Sequence, residues 1–87
     1  MNDKPPIQLR NPAALERSNY ILNSIQQTST HGPYPLIDAA LDAISTGDVA
    51  EHLFYLDAAA AFTITNRDTI RAAATAVRAA FGIPHDH

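Results

Sequence analysis

The chain has 87 residues, of which 46% are hydrophobic and 17% charged, with a formal net charge of −3. A chain this short holds one domain at most, and its composition excludes a collagen-like chain or a strongly charged disordered one. The absence of Cys excludes a disulfide scaffold, a thiolate metal site and cysteine chemistry.

Much of the apolar content is small. Ala supplies 16 residues, against 20 for Leu, Ile, Val and Phe together. Ala favours helix but buries little area, so helices can approach closely around a thin core. Self-association is a common remedy for a small scaffold without disulfide or metal, and a homodimer is expected on that ground. No run of 18 apolar residues occurs, and the first residues lack the pattern of a signal peptide. A cytoplasmic location is the default expectation. The negative charge argues against general affinity for nucleic acid or anionic membrane.

In chain order, residues 1–10 carry Pro5 and Pro6 and read as an extended arm, with Ile7 and Leu9 as its anchors. Asn11-Pro12 supplies an N-cap and a first-turn proline, so a first helix runs from there to about Thr28. Leu15, Ser18, Ile21, Leu22 and Ile25 share one face of it, and Tyr20 points the other way. The polar run through His31-Gly32-Pro33 ends it. A second helix starts near Pro35, with Ile37, Ala40, Leu41 and Ile44 inward and Asp38 and Asp42 on a solvated outer side. Gly47 fits the left-handed position after its end.

Asp48 and Glu51 form a capping-box-like start for a third helix over 49–62. Val49, Leu53, Leu56 and Ala60 share a face, while Phe54, Tyr55 and Phe62 spread around the others. A helix apolar nearly all round is central or shared with a partner. Thr63-Ile64-Thr65 breaks it, and Thr65 with Asp68 suggests another capping box for a fourth helix over 66–81. Its buried stripe is Ile70, Ala73, Ala74, Val77 and Phe81. Gly82-Ile83-Pro84 stops it, and residues 85–87 form a loose tail.

The fold class is therefore all-α: a small four-helix, bundle-like domain over 11–84, expected to be homodimeric. The core would be Leu15, Leu22, Ile25, Ile37, Leu41, Ile44, Leu53, Leu56, Ile70, Val77 and Phe81.

Three groups of residues bear on function. Arg67, Arg71 and Arg78 lie on one stripe of the fourth helix at spacings of 4 and 7. They either pair with Asp38, Asp42 or Asp57, or form an anion-binding surface. The run from Ala59 to Arg71 resembles the general texture of helix-turn-helix proteins: an Ala-rich helix, a short turn, then Arg, Thr, Ile and Arg on a second helix. It departs from them in having Thr63 where Gly is common and in one extra residue at Asn66. The resemblance implies a DNA-binding regulator that presents the start of the fourth helix to the major groove.

Tyr20, Phe54 and Tyr55 are the candidate partner contacts, because aromatics are enriched at interface centres and helix three has too many for one core face. His52 reads as a hydrogen-bonded histidine beside the core. With Asp57 it would be the first pair to mutate if a site formed at a dimer seam. His85 and His87 flank Asp86, a poor metal site on a free tail. No catalytic motif occurs. The expected function is that of a protein-binding regulator, adaptor or inhibitor, without cofactor or metal. Its partners would be itself and another protein, with DNA as the alternative.

Overall fold

Local chemistry fixes where each helix begins and ends. The computed structural model describes residues 8–29 and 34–83, and among these it contains α-helix and no strand. The helices are α1 (Pro12–Thr28), α2 (Pro35–Ser45), α3 (Val49–Phe62) and α4 (Arg67–Phe81). Asn11 Oδ1 accepts from the Ala14 amide at 3.3 Å, so the expected cap of α1 forms. Asp48 caps α3 by accepting from the Glu51 amide at 3.0 Å. The reciprocal half of that capping box is missing. The Asp48 amide donates to Ala43 O at 3.0 Å, and Glu51 instead accepts from the Tyr55 hydroxyl at 3.1 Å.

Two glycines occupy the left-handed region. Gly47 has φ +85° between α2 and α3, and Gly82 has φ +68° after α4. The Ile83 amide closes α4 by donating to Arg78 O at 2.8 Å, as a Schellman motif requires. The expected Thr65–Asp68 box does not form. Helix α4 begins one residue later than expected, after Asn66, whose side chain makes no cap bond. The Asn66 Nδ2 amide donates instead to the Tyr34 hydroxyl at 3.2 Å, so a tertiary bond displaces the local one.

The helices run alternately up and down. Arg10 and Asn11 amides donate to Ala80 O at 2.7 and 2.9 Å, which sets the start of α1 beside the end of α4. Helix α4 packs against α1 and α3, α3 against α2, and a thinner contact between α1 and α2 completes the ring. Helices α1 and α3 lie across this ring from one another.

The core is largely alanine. Ala40, Ala43, Ala59, Ala60, Ala73, Ala74 and Ala80 are buried with Leu22, Ile25, Ile37, Val49, Leu56, Ile70 and Val77. Small residues between α3 and α4 bring their axes close, so each contributes little area but excludes water. Leu15, Leu41, Ile44, Leu53 and Phe81, expected in the core, are half-buried. Two of the five, Leu41 and Leu53, pack against the edge of the core cluster. Among the described residues, Ser18 and His52 are the buried polar ones, both at 0% exposure. The arm before Gln8, the His31-Gly32-Pro33 connection, Pro84 and the His85-Asp86-His87 tail lie outside the described residues.

Candidate partner-binding surface

Helix α3 meets neighbours on one half of its circumference only. Val49, His52, Leu56, Ala59 and Ala60 are buried. Phe54 and Phe62 project outward at 67% and 84% exposure, followed by Ile64 at 84%. The apolar character of α3 on every side predicts a central or shared helix. In this chain α3 is flanked by α2 and α4, and its outer half is bare. Phe54 stands edge-on to Tyr55, with ring centroids 5.6 Å apart and planes at 68°.

The seam between α2 and α3 is a groove built from two antiparallel stripes. Pro35, Ala39, Asp42 and Thr46 lie along α2, and Glu51, Tyr55, Ala59 and Phe62 along α3. One end is a cavity of about 120 Å³ lined by Tyr34, Pro35, Leu36, Ala59, Phe62 and Thr63. The other is a cavity of about 210 Å³ lined by Ala39, Asp42, Ala43, Thr46, Glu51 and Tyr55. The first is apolar and the second acidic. The Tyr55 hydroxyl donates to Glu51 Oε1, and that bond, with the carboxylate's charge, raises the phenol above its ordinary pKa.

Tyr34 anchors the apolar end. Its amide donates to Gln26 Oε1 at 2.8 Å, and Gln26 Nε2 donates back to Tyr34 O at 3.2 Å. This reciprocal pair ties the start of α2 to α1. Hydrogen bonds at its hydroxyl from Thr63, then Ser29 and Asn66, favour the phenolate and lower its pKa. One side chain thus links α1, the start of α2 and the turn before α4, and it holds a wall of the groove.

The residues singled out in the sequence are not all brought together. Phe54 and Tyr55 are in edge-on ring contact, and of the two it is Tyr55 that lines the groove. Tyr20 is exposed at 74%, but it sits on α1, across the ring from α3. Arg67 Nε donates to Ala60 O at 2.9 Å, and Arg78 pairs with Asp57 at 3.7 Å. Of the three arginines, Arg71 is the exposed one. Asp38 and Asp42 are exposed on the outer side of α2, as expected of a solvated face.

His52 and Asp57 do not form a pair, because five residues turn a helix by about 140°. His52 points inward and Asp57 outward. His52 Nδ1 lies 2.6 Å from Ala40 O, so it carries the proton, and Nε2 is buried without a hydrogen-bond partner. Burial lowers the His52 pKa, and the Ala40 bond opposes that shift more weakly. Among the described residues, no group of three or more His, Asp or Glu is placed to hold a metal ion. None of their helices is long and apolar enough to cross a membrane.

Comparison with family models, curated proteins and solved structures gives no match to this chain.

Phe62, Ile64 and Tyr34 are not among the sequence candidates. A signal for Phe62 is present, since it follows Tyr55 by seven residues and so lies within about 20° of it around α3.

Proposed function

We propose that this chain is a small, non-catalytic protein-binding module, a regulator, adaptor or inhibitor, whose contact surface is the outer face of α3 and the α2–α3 groove. The observation that carries this reading is the exposure of Phe54, Phe62 and Ile64 on one helix and the turn after it. Clustered exposed apolar residues with a polar rim are a feature of interaction sites. Tyr20 would serve a separate contact on the opposite side.

A capture experiment tests this. Tagged wild-type chain and a Phe54→Ser/Phe62→Ser variant are incubated with native extract treated with nuclease. Stoichiometric protein retained by the wild type and released by the variant supports the proposal. Identical retention by both refutes it.

DNA binding through α4 is the second reading, supported by the α3–turn–α4 order and by exposed Arg71. It requires freeing Arg67 and Arg78 from Ala60 and Asp57. Its mark would be retained material that disappears with nuclease and falls steeply with salt. A homodimer suits the alanine-rich core. It would use another face, because a twofold pairing of α2–α3 grooves sets Asp42 and Glu51 against the same two acids.

A further inference from the structure

The α2–α3 groove has a chemical direction, and that direction describes its occupant. Its apolar end is a cavity of about 120 Å³, enough for one bulky side chain against Phe62, Leu36 and Pro35. Its other end presents Asp42 and Glu51. Residues 34–62, which form both walls, include five acids and no Lys or Arg. Asp57 is partly neutralised by Arg78, whereas Asp42 and Glu51 are exposed and have no basic partner within these walls.

We infer that the groove receives a basic amphipathic helix of another protein, with one large apolar anchor at the Phe62 end and Lys or Arg at the Asp42–Glu51 end. The inference rests on the protein-binding reading and specifies its partner. The two ends are separated by about eight residues of α3, or about 12 Å. Side chains seven or eight positions apart on a docked helix span that distance on one face. A helix is the natural guest because the seam between two helices offers ridges and grooves to a third. A second copy of this chain presenting its own α2–α3 face is disfavoured by the repulsion of like charges.

The probes are fluorescent alanine-based helical peptides of about 16 residues. Each carries Leu and a pair of Arg seven and eight positions away, in either chain direction, and each has a counterpart with Glu in place of Arg. Anisotropy with the full chain should show an Arg peptide binding about tenfold more tightly than its Glu counterpart. Asp42→Asn/Glu51→Gln should shrink that preference below about threefold, and Phe62→Ser should weaken both peptides. All three residues are exposed, and the side-chain amide introduced by Glu51→Gln can still accept from Tyr55, so the variants should keep the wild-type circular dichroism.

Equal binding of Arg and Glu peptides that is lost in Phe62→Ser would overturn the basic partner and leave the apolar docking surface standing. Binding indifferent to both variants, or no binding by any peptide, would overturn the groove as the site. A dimer in light scattering that Phe62→Ser dissolves would give the groove to a second copy and overturn the inference.

Discussion

Lowering the pH from about 7.5 to about 5.5 should destabilise the protein through His52. The imidazole is fully buried, its Nδ1–H is committed to Ala40 O, and Nε2 faces no acceptor that would welcome a second proton. Burial disfavours the charged ring, and the bond to Ala40 opposes it more weakly. The folded-state pKa therefore lies below the unfolded value of about 6.5. Where the unfolded chain binds the proton and the native one does not, stability rises with pH. At about pH 5.5 the unfolded state gains about 1.4 kcal/mol, as an upper bound for a native state that stays neutral. For a domain of this size that bound corresponds to a loss of at most roughly 5–10 °C in Tm.

The assay is urea unfolding at both pH values for the wild type and His52→Leu. Leu removes the titration, and Ala40 O keeps its helical bond. The wild type should lose more than the variant over this interval, by up to about 1.4 kcal/mol. Equal losses would show that His52 titrates alike in both states, and the buried, neutral imidazole would be wrong.

Other substitutions probe the helix ends and the bare face. Asp48→Ala should cost about 0.5–2 kcal/mol in thermal or urea unfolding, because it removes a side-chain cap that forms, while Thr65→Ala should be near neutral. Gly47→Ala should cost about 1–2 kcal/mol from backbone conformation alone, since open space surrounds the added Cβ. Gly82→Ala should cost about the same, because the atoms its Cβ would meet at 2.9–3.0 Å belong to the exposed, flexible Arg10 side chain, which can move aside, and Arg10→Ala should leave that cost unchanged in a double-mutant cycle. Phe62→Ser should change unfolding stability by no more than about 0.5 kcal/mol, and a larger loss would mean that this ring packs within the chain.

Helix positions are legible because caps are local chemistry. Asn11-Pro12, Asp48, Gly47 and Gly82-Ile83 each act where the sequence places them. Thr65 and Asp68 do not act as their spacing predicts, because the turn before α4 is governed by distant partners. Asn66 reaches Tyr34, and Arg67 reaches Ala60. Ser18 falls on the inner face of α1 by its period, and it is buried there.

Periodicity says which side of a helix is apolar, not which neighbours cover it. Leu41 and Leu53 therefore read as core and lie at its edge. The same limit hides the groove. Glu51, Tyr55, Ala59 and Phe62 form a stripe visible along α3, but its meaning depends on Pro35, Ala39, Asp42 and Thr46 lying alongside. Tyr20 looks equivalent to Phe54 in the sequence. Only the order of helices around the ring separates them.

The bonds from Arg10 and Asn11 to Ala80 bring the two ends of the described helical domain together. The segment entering α1 closes one of the last carbonyls of α4, that of Ala80, so fraying at either end exposes polar groups at the other. A short linker joining residues 8 and 83 would require little rearrangement there, and new ends could be opened beside Gly47, where the Cβ position faces open space. Such a permuted chain would keep all four helices and their neighbours in a different chain order.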